Sequence, residues 1–322
     1  IHDINCTFNG HTNAEQCPRA GHDIGNGISH LLISHALPQE ECLELIQNRI
    51  ALIPEYLKEA AITLKRPVSN WIQVEEKQLL GLKALFDAVE GAQKKNSDDH
   101  KRSRKRAEEA IANYIGEVKE KSNSTNFAIG EKDTQEVLRN RGIMEPPEDL
   151  YALAKTFETR HSASLKERQT KLIEKHKLQK DTSTQDLCTW LNNTFQIPLG
   201  NTPATDIINH YKDEANKVCA YIKEHNLFPL INTGNIRIME TPPHLQPCIP
   251  AGAMVPPAPL ASGKSESIVY LTLTKEQIPS HSLLSVPTMM IHECIPGHHL
   301  QLSWAAAHPS KIRRMYDAAA YA

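Results

Sequence analysis

Between Pro38 and Lys95, apolar residues recur at spacings of three and four. Leu43, Ile46, Ile50, Ile53 and Leu57 form one set, and Leu79, Leu82, Leu85, Phe86 and Val89 form the next. The buried face of an α-helix requires that spacing, so the segment reads as an α-hairpin with its break at Arg66-Pro67. Pro54 falls inside the first set and is expected to kink or restart that helix. Helical patterning continues from Thr134 to about Asn226. "TQEVLRNRG" ends in a glycine suited to a helix stop, "EPPEDLYALAKTFETRHSASLKERQTKLIEK" is long and charged, and "TPATDIINHYKDEANKVCAYIKEHN" starts from a threonine of capping type. Between Leu227 and Pro279 the chain turns proline-rich, and "NIRIME" at 235–240 and "SIVYLTLT" at 267–274 read as strands. Residues 281–306 return to helix. The pattern predicts a mainly α fold with a small β-sheet. An irregular segment at 1–37 precedes a helical body at 38–226, and 227–322 carries the sheet and a last helical stretch.

Composition narrows the function classes. With 322 residues, 40% apolar content and a net charge of −2, the chain can bury a sizeable core and has no charge excess that demands nucleic acid or a membrane surface. The run "NSDDHKRSRKR" at 96–106 is a polar loop entering a basic helix start. Glu108 and Glu109 compensate it and no aromatic residues interleave, so it reads as a solvated helix end rather than a nucleic-acid patch. No run of about 18 apolar residues is present, so no membrane span is expected. The chain opens on Ile1 without a charged-then-apolar leader, which reads as a processed or truncated start. Seven cysteines show no C-x-x-C pair. Cys6 and Cys17 are candidates for a bridge in an exported protein, and an odd count leaves a thiol over. Cytoplasmic and exported settings both stay open, as does the oligomeric state. Sequons at Asn5, Asn123 and Asn192 are about what chance supplies.

The densest chemistry lies in "MMIHECIPGHHLQ", Met289 to Gln301, which puts three histidines and a glutamate into eight positions around a Pro-Gly step. In the usual zinc helix, H-E-x-x-H sets two imidazoles four residues apart, on one face and roughly 6 Å apart along the axis. Here the fourth position is Pro296, which removes a helical hydrogen bond and clashes with the carbonyl of His292. On a regular helix His298 would point about 240° away from His292, and His299 would face correctly but lie about 10 Å along the axis. A wide turn or bulge at Cys294–Gly297 absorbs the two extra residues and returns His298 to the face of His292. His292 and His298 are therefore the preferred ligands of one zinc ion, with His299 as the substitute ligand or an outer group. Glu293, beside the first ligand, can act as general base toward a water activated by the ion and then as acid to the leaving amine.

"HECIPGHHLQ" resembles the H-E-x-x-P-G-H-H-L-Q signature of the domain of unknown function 885 family, whose bacterial members are regarded as zincin-like metallopeptidases. "RPVSNWIQVEEKQLLGL", "FAIGEKDTQEVLRNR" and "IRIMETPPHLQPCIPAGAMVPPAPL" agree with it, and the resemblance runs from about Pro38 to Ala322. It implies a helical fold with a small sheet beside a zincin-like metal-binding helix, one zinc ion, and hydrolysis of a peptide or small amide substrate. It also implies that "SIVYLTLT" pairs as an edge strand with an extended substrate; a buried strand covering the metal helix is the competing reading. In this family an E-G-W-A segment supplies a third ligand. The chain stops at "DAAAYA", so it is expected to be truncated there, or else Asp317 substitutes. A non-peptide amide or ester hydrolase and an inactive scaffold are the alternatives to a peptidase.

Overall fold

The computed structural model describes residues 15–33, 37–93, 97–121, 124–230, 235–255, 266–311 and 314. It is mainly helical with one small sheet, as the apolar spacing predicts. The helices are α1 (Ala20–Ile33), α2 (Gln39–Thr63), α3 (Ser69–Ala92), α4 (Asp98–Glu120), α5 (Glu131–Asn140), α6 (Pro147–His176), α7 (Thr184–Thr194) and α8 (Pro203–Glu224). The strands β1 (Asn235–Glu240), β2 (Gly252–Val255) and β3 (Glu266–Leu271) follow, and α9 (Ser285–Glu293) and α10 (His298–Ala306) close the series.

The chain divides into two compact units. One holds residues 1–20, 53–76 and 109–190, and the other holds 21–52, 77–108 and 191–322. In the first unit Leu57, Leu64, Val68, Ile72, Ile111 and Val118 are buried together with Tyr114. Helix α2 continues through Pro54 without the restart that was one of the two expectations there. Ile46, Ile50, Ile53 and Leu57 all stay buried on one face, and that packing holds the helix across the lost hydrogen bond. Thr202 stands at the N-cap of α8 as expected but makes no side-chain cap. Asp206 instead accepts a hydrogen bond from the backbone N–H of Gly200 at 2.7 Å.

In the second unit the basic run is helical from Asp98 onward, and Lys101, Arg102 and Arg104 find acidic partners within the chain. Arg104 pairs with Asp87, Glu90 and Glu108 at 2.6, 2.8 and 2.8 Å. The sheet has the order β1-β3-β2, with β1 parallel and β2 antiparallel to β3. Ile238 stands opposite Val269, and Ala253 opposite Tyr270. Val269 and Leu271 pack on one face with Ile207, Tyr211, Val286 and Met290. Ile268 and Tyr270 pack on the other with Leu245, Ile33 and Met239. A strand covered on both faces needs the nearly continuous apolar run that the sequence shows. Because β3 is central, it offers no free edge, which overturns the expectation that "SIVYLTLT" pairs with substrate. β2 was not expected: it is four residues long and lies in the proline-rich stretch.

Beyond β1 the segment carrying His244 crosses α1. The imidazole is fully buried, and a Cβ added at Gly25 would overlap its ring, so only glycine admits it there. Neither ring nitrogen of His244 has a hydrogen-bond partner among the described residues.

Candidate metal centre

Helix α9 is aimed by its buried residues. Val286, Met290 and Glu293 recur at helical spacing on the face toward the core, while His292 falls on the outer face with its side chain 65% exposed. Upstream, buried His281 fixes where this helix begins. Its Nε2–H donates to the carbonyl of Thr272 at 3.1 Å, so its Nδ1 accepts the hydroxyl of Tyr211 at 2.8 Å, which ties α8 to the segment entering α9. Burial lowers the pKa of His281, in keeping with a neutral ring.

The wide turn or bulge expected at Cys294–Gly297 takes the form of a complete break between two helices. Helix α9 ends at Glu293, its last turn closed by Cys294 N–H donating to the Met290 carbonyl at 2.9 Å, and α10 starts at His298. Pro296 cannot donate to a continuing helix, and the chain then folds back across the end of α9. It comes so close that a Cβ at Gly297 would overlap the carbonyl oxygen of His292. The need for glycine here is close approach, since its φ of −70° is open to any residue.

This reversal brings His292, Glu293 and His298 together, with one ligand atom from each within 4.8 Å of the others. The two imidazoles meet edge to face at 4.8 Å between ring centres, and Nε2 of His292 is 4.0 Å from Oε1 of Glu293. His298 is held from behind. Its Nδ1–H donates to Oε1 of Gln301 at 3.2 Å, one helical turn later, which leaves the Nε2 lone pair for a ligand. Among the described residues no other group of three His, Cys, Asp or Glu side chains gathers in this way.

His299 goes elsewhere. It is fully buried, its Nδ1 lies 2.7 Å from the hydroxyl of Ser267 on β3, and burial pushes its pKa down to about 4. Asp317 lies outside the described residues, as does Cys6. Two supporting residues escaped the sequence reading. Gln301 sits at i+3 from His298, a spacing that could have marked it. Ser267 is joined to His299 across 32 positions, and nothing local announces that contact.

The family described as "Bacterial protein of unknown function (DUF885)" matches residues 9–322. This chain belongs to it. Two solved structures share the fold of this DUF885 chain. One is a "putative lipoprotein of unknown function" from Shewanella oneidensis, 18% identical, with a TM-score of 0.58 over 94% of this chain and 57% of that one. The other is a "putative lipoprotein" from Colwellia psychrerythraea, 13% identical, with a TM-score of 0.62 over 86% of this chain and 52% of that one. The chain thus spans about half the length of the structures it matches. No curated protein matches the DUF885 sequence. No described helix is long and apolar enough to cross a membrane.

Proposed function

We propose that this protein is a zinc-dependent hydrolase of amide bonds, acting on peptides or small amides. The observation that carries the reading is the convergence of His292, Glu293 and His298 within 4.8 Å, produced by a chain reversal that needs Gly297. The donor set fits zinc. Two neutral imidazoles and a nearby carboxylate are its ordinary partners, and Gln301 already holds His298 in the tautomer with a free Nε2. His292 and His298 would hold the ion. Zinc bound there supplies Lewis acidity and lowers the pKa of water toward about 7.

The rest of the chemistry belongs to the chain. Glu293 sits at the end of α9 with its side chain only 12% exposed, between the core and the two imidazoles. From there its carboxylate takes the proton of the attacking water and passes it to the leaving nitrogen. The sheet edge beside α9 is β2: a Cβ added at Gly252 would stand 3.5 Å from the Met289 sulfur, so this strand lies against the helix. That edge, rather than β3, suits an extended substrate pairing through its main chain. The likeness to two proteins named as lipoproteins supports an exported setting.

The test is a zinc titration followed by digestion of a peptide library. Wild-type protein should bind one zinc ion and cleave peptides. His292→Ala and His298→Ala should each lose tight binding, and Glu293→Gln should keep zinc while turnover falls by orders of magnitude. Absence of zinc binding by the wild type would overturn the reading. Zinc binding with cleavage of small amides or esters alone would move the substrate class away from peptides.

A further inference from the structure

Thr272, the first residue after β3, is buried and has every polar atom engaged. Its N–H donates to the carbonyl of Ala251 at 2.9 Å, and its own carbonyl accepts from Nε2–H of His281 at 3.1 Å. Its hydroxyl is hydrogen-bonded to the Ile249 carbonyl and, at 2.9 Å, to the hydroxyl of Thr241. A carbonyl only accepts, so the Thr272 proton goes to Ile249 and Thr241 donates its own to Thr272. The bonds of this one residue reach three segments. Ile249 and Ala251 lead into β2, Thr241 follows β1, and His281 leads into α9.

Burial makes the junction stiff. No water replaces a broken bond there, so each loosening leaves a carbonyl or hydroxyl unmatched in the core. Buried Tyr211 completes the chain from α8: its hydroxyl donates to Nδ1 of His281 and keeps the ring proton on Nε2, where it meets the Thr272 carbonyl.

The sheet edge and the metal helix joined in this way are the two elements that the proposed reaction has to bring together. Gly252 follows Ala251 and lies against Met289, which stands one turn before His292 on α9. The bond between Ala251 and Thr272 also fixes which way β2 faces. Antiparallel pairs alternate, so Ala253 and Val255 bond to β3, while the N–H and carbonyl groups of Gly252 and Met254 turn to the outer edge.

We infer that Thr272 is a positioning residue, which holds β2 at a fixed offset from α9 so that an extended peptide paired with Gly252 and Met254 presents its scissile bond to the metal centre. The inference rests on the hydrolase reading above and narrows its substrate to a peptide long enough to lie along β2. A small amide that touches only the metal centre does not depend on the junction. Misplacing a scissile bond by about 1 Å costs on the order of 100-fold in rate, so a loosened junction is read in kcat on long substrates.

Thr272→Val keeps the shape and removes the hydroxyl, whereas Thr272→Ser keeps the hydroxyl and removes the methyl. For each variant, zinc affinity, kcat and KM are measured with an octapeptide and with a single-residue anilide. In Thr272→Val, kcat on the octapeptide should fall at least tenfold, while its KM, the zinc affinity and anilide turnover stay within about threefold of wild type. Thr272→Ser should stay within about threefold on both substrates. Tyr211→Phe is the second variant, for the case that Thr272→Val does not fold. Without the phenol, His281 is free to move its proton to Nδ1 and release the Thr272 carbonyl, and the same octapeptide-selective loss is expected. An equal fall on both substrates would overturn the inference, because a residue that only stabilises the fold acts on both alike. Unchanged octapeptide turnover in Thr272→Val and Tyr211→Phe, or cleavage of the anilide alone by the wild type, would also overturn it and leave the hydrolase reading standing. A wild type that binds no zinc and cleaves neither substrate overturns the hydrolase reading, and this inference falls with it.

Discussion

His298 and Gln301 face each other across one turn at the start of α10, with Nδ1 of the imidazole 3.2 Å from the amide oxygen. A carbonyl oxygen can only accept, so the proton is on Nδ1 and the lone pair is on Nε2. A metal ligand must present a lone pair, and an imidazole free to change tautomer presents it only part of the time.

Gln301→Leu therefore tests the tautomer directly. The replacement keeps the volume roughly and removes the acceptor. Zinc affinity should fall by about 10- to 100-fold, the usual cost of losing a group that orients a ligand. Gln301→Glu should restore or exceed the wild-type affinity, because a carboxylate accepts the same hydrogen bond more strongly. Competition titration against a chelator of known affinity reads both. Equal affinities in all three proteins would show that Gln301 does not orient the ligand.

His299 stands beside His298 in the sequence and apart from it in space. It is fully buried against Ser267 at 2.7 Å. His299→Ala should consequently lower stability by about 2–3 kcal/mol through a cavity and an unmatched hydroxyl, while zinc affinity changes no more than a few-fold. Urea unfolding and the same chelator competition separate the two effects. Loss of the metal with unchanged stability would make His299 the ligand and displace His298.

Much of this fold was legible because the signals that mark it are local. Ile46, Ile50, Ile53 and Leu57 were readable as a buried face from spacing alone, and so was β1 in "NIRIME". The residues of the candidate centre were readable because His292, Glu293 and His298 crowd into one short stretch. What the sequence did not show was settled by tertiary packing. β2 takes its conformation from antiparallel pairing with β3, and nothing in "GAMV" marks a strand. The central position of β3 depends on strand order, which is decided by contacts far apart in the chain. Pro54 did not restart its helix because local propensity was outweighed by the packing on either side of it.

Gly297→Ala probes the reversal between α9 and α10. The added Cβ would overlap the carbonyl of His292, and neither group can give way without moving backbone. The expected result is a double loss: zinc affinity reduced at least tenfold as the imidazoles separate, and a lower thermal midpoint. Replacing Gly116, a mid-helix position with open space around its Cβ, with alanine is the control: zinc affinity should stay unchanged and the thermal midpoint should rise slightly, since alanine is the better helix former. An alanine variant at 297 with wild-type zinc affinity would mean that the close approach is not what brings His292 and His298 together.

Acid should loosen the protein through His244. Burial pushes its pKa from 6.5 down to about 4, with the nearby His22 and His30 acting in the same direction. The folded state thus holds the ring neutral at pH values where the unfolded chain would protonate it. Between about pH 6.5 and pH 4 the unfolded state binds the extra proton, so stability rises with pH in that window and is lost as pH falls through it. The full effect of one such group is roughly 3 kcal/mol, most of it spent by pH 4.5. Urea unfolding at pH 7 and pH 4.5 should show a difference about 2–3 kcal/mol smaller in His244→Gln than in the wild type, because the amide has no proton to gain. His299 shares the downward shift, so some acid sensitivity should persist in that variant. If the two proteins lose stability equally over this range, His244 is protonated or hydrated in the folded state, and its burial does not govern the response to acid.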